Sequence, residues 1–275
     1  MPRLVNRRPG RAARVILAAL PFALALGAYA IGSHLRLSEN PNDKLLPSFP
    51  ALADGIVRFA FEPDRRTGEI LLWVDTLASL GRLAIGLAVS TALGLAVGIG
   101  IGLLPYARAS LASFLAVLSM IPPLSVLPIL FIVFGLGELS KVMLIVFGVA
   151  PFLMRDVALR VGELPTEQIV KAQTLGASTW QIITRVVLPQ TWPRLIDAVR
   201  LSLGAAWLFL IAAEAIAAES GLGYRIFLLR RYLAMDVILP YVAWITVLAF
   251  TFDWALRVLQ TRAFPWFAGT GRGRP

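Results

Sequence analysis

The sequence predicts an all-α polytopic membrane protein with about six transmembrane helices. Three observations carry this. Of 275 residues, 58% are hydrophobic and the mean hydropathy is +0.76. Charged residues make up 15%, against about 25% in soluble domains. Apolar runs of near-span length recur along the chain without strict alternation. Lipid offers backbone groups no water, so a span is a helix or part of a closed barrel, and continuous apolar runs select helices.

Taken in order, residues 1–14 hold Arg3, Arg7, Arg8, Arg11 and Arg14. The apolar run Val15–Ile31 follows. A signal peptide shares this layout, but the run is long for one and shows no clear cleavage site, so it reads as an uncleaved first span. Residues 33–69 are polar and proline-rich. Within them Ala51–Phe61 predicts a short amphipathic interfacial helix; after them Ile70–Leu80 predicts a second, with Trp73 as its anchor.

Arg82–Leu104 is the second span. Ala84, Ala88, Ala92, Ala96 and Gly100 form one fourfold-spaced row, and Gly86, Ser90, Gly94, Gly98 and Gly102 the next. Residues four apart share a helix face, so close backbone approach is expected there. Pro105–Ala109 predicts a short loop. Leu111–Phe134 is the third span and contains Pro122, Pro123 and Pro128. Two readings stand: an interrupted helix whose freed backbone lines a cavity, or a kink made for packing. Gly135–Lys141 predicts a turn, and Val142–Met154 the fourth span.

The segment 164–200 is the longest mixed polar and apolar stretch. Thr166 is a candidate N-cap, with Glu167 favoured by the helix dipole. That helix should stop at Gly176 in a left-handed C-cap. Ser178 with Gln181 predicts a capping box on a second helix, which Leu188-Pro189 should end. Two short capped helices would make a rigid knob suited to docking a soluble partner. Ala198–Ala218 is the fifth span, with Glu214 inside it. A polar connection containing Gly221-Leu222-Gly223, a flexible turn on this reading, leads to the sixth span, Val237–Leu259, where Asp253 and Arg257 form an i,i+4 pair.

Six spans place both termini on one side. Sixteen Lys and Arg residues fall on that side with the 164–200 segment, and ten on the other. The positive-inside rule therefore puts the termini and 164–200 in the cytoplasm. This topology accounts for the net charge of +10 without nucleic-acid binding. With no cysteine and a single histidine, His34, no thiol chemistry or multi-histidine metal site is expected. No phosphate loop of the Gly-x4-Gly-Lys-Ser/Thr type occurs, so no cofactor, metal or catalytic residue is expected, and the chain itself should not bind ATP. Glu214 is ionisable within a span, by default a functional residue. Three readings stand: it sits on a solute path, it pairs with a nearby arginine, or it lies solvated near the outer boundary.

The spacing Ala172-x3-Gly176-x9-Val186-x-Leu188-Pro189 resembles the coupling loop of ATP-binding-cassette (ABC) importer permeases. Val170 and Lys171 replace the family's leading Glu-Ala and Val186 its isoleucine; Glu167, one turn earlier, is the acidic candidate. Ile121-Pro122-Pro123 through Leu127-Pro128, Phe134-Gly135-Leu136-Gly137-Glu138, Leu175-Gly176-Ala177-Ser178, Ala213-Glu214 and Ser220-Gly221-Leu222-Gly223-Tyr224 look like the nitrate, sulfonate and taurine branch. The resemblance covers residues 73–266 as a permease core, after a 1–72 region of tail, first helix and extracytoplasmic segment, and before a 267–275 tail.

What it implies is a type I importer permease fold in a bacterial inner membrane, with a cytoplasmic coupling helix. Transport would proceed by alternating access. The partners would be two ATPase subunits, a solute-binding protein and a second permease copy. Glu167, Lys171, Ala172, Gly176, Ala177, Ser178, Arg185, Leu188 and Pro189 would couple to the ATPase. Glu214, Pro122, Pro123 and Ser220 would border the path. The alternatives are a secondary transporter or channel working without an ATPase, which should show inverted repeats, and a membrane-embedded enzyme, which would need clustered catalytic groups.

Overall fold

The computed structural model describes residues 9–270, all helices and connections. Arg3, Arg7 and Arg8 of the N-terminal cluster, and Arg272 and Arg274 of the tail, lie outside the described residues.

Helix α1 spans Arg11–Glu39 and α2 Phe49–Ala60, the latter capped by Ser48, whose hydroxyl accepts from the Ala51 amide. Apolar residues of α1 face away from the rest of the chain. Its ties are local: the Tyr29 hydroxyl donates to the Pro47 carbonyl at 2.6 Å and Ser33 to the Leu46 carbonyl at 3.0 Å. Helix α3 runs unbroken over Leu71–Leu103. The expected separate interfacial helix at 70–80 is therefore its first turns. Thirty-three residues make roughly 50 Å of helix, longer than the ~30 Å hydrocarbon core, so the polar start of α3 can stand outside the lipid without a break.

Helix α4 covers Pro105–Leu118, including the expected loop: proline at its first position needs no N–H partner. Helix α5 covers Pro123–Phe134, bent 97° from α4 across the break. Helix α6 spans Glu138–Gly162, much longer than its apolar centre. Helix α7 is Thr166–Thr174 and α8 Thr179–Ile182; a π-turn over Ile183–Val187 leads directly into α9, Leu188–Ala217. Leu188-Pro189 therefore does not end the second helix of the knob. Pro189 has no N–H to give; just beyond it the side chains of Gln190 and Thr191 donate to the carbonyls of Val186 and Val187, at 2.9 and 2.8 Å. Helix α10, Leu222–Arg230, occupies the expected connection; α11 is Met235–Ala263 and α12 Pro265–Thr270.

The α3–α6 pair is the spine of the bundle. A Cβ built on Gly86 would lie 2.8 Å from Ile145; on Gly94, 2.8 Å from Leu153; on Gly98, 2.6 Å from Val157; on Gly102, 2.5 Å from Val161. Each pair differs by the same 59 positions (145 less 86, 161 less 102). A constant positive offset means that α3 and α6 run parallel and in register. The α4–α5 pair must therefore carry the chain back across the bundle, which makes it the bent sixth crossing beside five straight ones.

One of the two small-residue rows makes this interface. The alanine row, Ala84 to Ala96, is exposed. In lipid, helices associate by van der Waals packing rather than by expulsion of water, so a missing Cβ is what permits the close approach. Gly98→Val is expected to overpack against Val157 and the Met154 carbonyl, at a cost of about 1–3 kcal/mol. Thermal unfolding in detergent measures it; an unchanged midpoint would contradict the register.

Candidate functional site

At the end of the bundle where α6 stops, the chain builds a rigid protrusion from local chemistry. Helix α7 closes in a Schellman motif: the Ala177 amide donates to the Ala172 carbonyl at 3.0 Å and the Gly176 amide to the Gln173 carbonyl at 2.9 Å. Gly176 takes φ +79°, a conformation that disfavours any side chain. The next residue but one opens α8 with a full capping box. Ser178 Oγ accepts from the Gln181 amide, and the Gln181 side chain accepts from the Ser178 amide at 2.8 Å. At the other end of α7, Pro165 rather than Thr166 is the N-cap residue, one place earlier than the sequence suggests.

One face of this unit is anchored. Ile182 and Val187 are buried, and Ile169, Ala172, Ala177, Ile183, Val186 and Leu188 pack on the core. Gln190 Nε2 donates to Gln168 Oε1 at 2.9 Å, tying α7 to α9. The other face is open: Leu175 is 78% exposed, Trp180 71% and Val170 49%. Glu167, Lys171, Gly176, Ser178, Arg185 and Pro189 share this exposure. Large apolar side chains held on a rigid, capped element are the anatomy of a docking surface, in which aromatic anchors carry most of the energy.

The opposite end holds a charge cluster that is largely buried, although the Glu138 side chain is 65% exposed. Asp75, Ser79 and Arg82 come from α3, Glu138 and Lys141 from α6, Glu214 from α9 and Arg225 from α10. Glu214 is fully buried. Its carboxylate accepts from Ser79 Oγ at 2.8 Å, Arg82 Nη1 at 2.7 Å and the Gly223 amide at 2.8 Å. Arg82 also donates to the Ser220 carbonyl at 2.8 Å and forks onto Glu138 at 2.5 and 2.9 Å. Glu138 receives Lys141 Nζ at 2.8 Å. Asp75 accepts from Arg225 Nε at 2.7 Å, the Tyr241 hydroxyl at 3.2 Å and the Gly221 amide at 2.9 Å. The charges balance, three acids against three bases.

The cluster has one geometric result. Three successive amides at the start of α10, those of Gly221, Leu222 and Gly223, donate to Asp75, Ser79 Oγ at 2.8 Å and Glu214. The Gly221-Leu222-Gly223 stretch, expected as a flexible turn, is instead bonded at every amide. Its glycines are required by proximity: a Cβ on Gly221, at φ +127°, would lie 2.5 Å from the Glu214 carboxylate, and one on Gly223 2.7 Å from the Ile211 carbonyl. Burial works to lower the Arg225 pKa and its hydrogen bonds to Asp75 to raise it; the result lies above the ordinary arginine value. Arg225 therefore stays cationic and keeps Asp75 paired.

Of the residues expected on the path, Glu214 and Ser220 meet through Arg82, while Pro122 and Pro123 sit at the α4–α5 break. The arginine partner for Glu214 is present, and the boundary solvation is not. Asp75, Ser79, Arg82, Glu138 and Arg225 were missed by sequence reasoning; an aspartate and an arginine seven residues apart, flanking Ser79, were the available signal. Asp253 bonds chiefly to Arg200 Nε at 2.8 Å, with Arg257 more distant at 3.5 Å. The i,i+4 pair is the weaker of its two.

Residues 90–265 match the family described as binding-protein-dependent transport system inner membrane component. The taurine transport system permease protein TauC of Escherichia coli (strain K12) is 39% identical over 199 residues, 72% of each chain. The putative aliphatic sulfonates transport permease protein SsuC of the same organism is 28% identical over 251 residues, 91% of this chain and 93% of that one. An inward-facing structure of the MetNI methionine ABC transporter superposes with a TM-score of 0.57 at 21% identity, covering 69% of this chain and 96% of that one.

Proposed function

Because the chain belongs to the family of inner-membrane components of binding-protein-dependent transport systems, we propose that it is the half of an ABC importer through which a small sulfonate-like organic ion passes, moved by an ATPase that docks on α7 and α8. As a member it is a multi-pass inner-membrane permease rather than a catalyst, which sets aside the secondary-transporter, channel and enzyme alternatives. Membership brings an ATPase partner and a solute-binding protein. On our reading two copies of this chain pair with two ATPase subunits, which hydrolyse the ATP. The termini and the α7–α8 protrusion are cytoplasmic, and residues 73–266 form the transport core.

The observation that carries this reading is the asymmetry of the protrusion. Leu175 and Trp180 are bare on its outer face, while its inner face is packed on the core and its backbone continues through the π-turn into α9. A push on α8 would reach α9 without crossing a loop, and α7 is tied to α9 through Gln168 and Gln190. The α9 end is bonded through Glu214 to the α10 amides and Arg82, so its displacement is felt on the binding-protein side. Glu167, Lys171, Arg185 and Pro189 would face the ATPase, while Ala172, Gly176, Ala177, Ser178 and Leu188 shape the element. Pro122 and Pro123 would border the path directly, Glu214 and Ser220 at one remove through Arg82. Sulfonates as cargo rest on the names of the relatives.

Gly176→Pro tests the reading, since proline can adopt neither φ +79° nor the donor role. Uptake by reconstituted transporter is expected to fall at least about tenfold, the equivalent of ~1.4 kcal/mol, while the ATPase subunits alone hydrolyse ATP as before. Normal uptake and ATPase association would remove the coupling role.

A further inference from the structure

Helices α2 and α11 meet at one very close contact. A Cβ on Gly55 would lie 2.3 Å from the Asp236 carbonyl, which Pro240, four residues on, cannot bond within α11. Arg58 adds an ion pair to the Asp236 carboxylate at 3.0 Å. Beside this crossing lies an apolar cavity of about 210 Å³, walled by Ile56 and Phe59 of α2, Leu72 of α3, and Tyr241, Trp244 and Val247 of α11. From Val237 to Val247 it follows α11 for roughly 15 Å, one leaflet's share of the ~30 Å hydrocarbon core. Ile56 and Val247 of its walls are exposed, as are Val57 and Val242 beside them, so the slot faces lipid. Trp73 and Trp244, packed edge to face at 5.7 Å, mark the level of the membrane interface.

A second cavity, of about 610 Å³, adjoins the slot and shares Phe59 and Val237 with it. Its walls are charged. Arg58 is paired with Asp236, and Asp64 accepts from the Arg66 and Thr67 amides at 3.1 and 3.2 Å. That leaves the side chains of Arg65, Arg66 and Glu62, none of which bonds to a described residue. Two arginines against one glutamate leave a net of one positive charge. Guanidinium groups suit phosphate oxygens, and basic pockets at helix ends in membranes take lipid headgroups. A positive chamber opening onto an apolar slot in the lipid-facing wall has the two parts that a phospholipid needs.

We propose that α2, α11 and the 62–66 turn bind one anionic phospholipid, phosphatidylglycerol. Its phosphate meets Arg65 and Arg66, its glycerol hydroxyls donate to Glu62, and one acyl chain fills the slot beside Tyr241 and Trp244. Charge selects this lipid. A single phosphodiester cancels the positive excess, whereas the ammonium of phosphatidylethanolamine would leave it standing. The chain would also brace α11 where it meets the charge cluster, since the Tyr241 hydroxyl donates to Asp75 at 3.2 Å and Trp244 Nε1 to Thr76 at 3.0 Å. The inference goes beyond the importer reading and needs only the membrane placement of the chain.

The delipidated permease–ATPase complex in detergent is titrated with phosphatidylglycerol and with phosphatidylethanolamine of the same chains, and bound lipid is counted by native mass spectrometry. The wild type is expected to bind phosphatidylglycerol about tenfold more tightly. Arg65→Gln with Arg66→Gln should weaken phosphatidylglycerol about tenfold and leave phosphatidylethanolamine as it was. Arg65→Lys with Arg66→Lys should recover most of the loss, because the charge returns without the fork. Ala243→Phe, which fills the slot, should weaken both lipids alike, at least about fivefold. None of these side chains bonds to the charge cluster, so ATPase association and the lipid-free unfolding midpoint should not change.

Equal binding of the two lipids by the wild type overturns the proposal, and so does a glutamine pair that keeps the preference. An Ala243→Phe variant that binds as the wild type does removes the slot. Glycerol phosphate, a headgroup without chains, is titrated as well; binding as tight as the lipid's would make the chamber a site for soluble anions. Phosphatidylglycerol binding that survives the glutamine pair while association of the solute-binding protein is lost would give the arginines to that protein. Should the glutamine pair lower the lipid-free midpoint, the lysine pair and Ala243→Phe decide by the same criteria.

Discussion

Replacing Glu214 with alanine is expected to destabilise the protein by about 3–5 kcal/mol, the usual cost of breaking a buried ion pair from one side. The cost comes from what is left behind. Arg82 is 5% exposed and would keep only Glu138 and the Ser220 carbonyl. Ser79 would lose its acceptor, and the Gly223 amide would be buried without one. The amide row at the start of α10 would lose one of its three acceptors. Thermal unfolding in detergent measures the loss. Adding Arg82→Leu should recover part of it, since paired residues are not additive. A loss under about 1 kcal/mol would mean that the carboxylate does not hold the cluster together.

The second large effect is expected at the other end. Trp180→Ala is predicted to weaken ATPase binding by about 2 kcal/mol, roughly 30-fold, as truncation of an aromatic anchor does; Leu175→Ala should act in the same direction. Both side chains are exposed, so the stability of the permease itself should change little. Binding of the ATPase to nanodisc-embedded permease reads this directly, and a change under about twofold, ~0.4 kcal/mol, would move the docking surface elsewhere.

How legible these two ends were in the sequence differs for a physical reason. The protrusion is local chemistry. Gly176, Ser178 and Gln181 act on backbone groups within five positions, so the caps could be read within a residue. The Gly86–Gly102 row was legible too, because helical periodicity places every fourth residue on one face. Which of the two rows met α6 was not, since that depends on the partner helix. The cluster is the opposite case. Ser79 and Arg82 meet Glu214 across 135 and 132 positions, and no local pattern reports such a pairing. Leu188-Pro189 misled because the π-turn accommodates a proline that an ordinary α-helical turn would not. At α4–α5 the prolines announced a break, while the 97° bend depends on the parallel α3–α6 pair that the segment must bridge.

Coupling requires that α7 and α8 touch the ATPase. The chain has no cysteine, so Gln173→Cys, on the exposed side of α7, would carry the permease's sole thiol without disturbing Leu175, Trp180 or the caps. In the assembled complex a short thiol-to-amine cross-linker should join this position to the ATPase, whereas Tyr232→Cys beyond α10 should not react with it. A transport-competent complex that cross-links at Tyr232→Cys but never at Gln173→Cys would contradict the account.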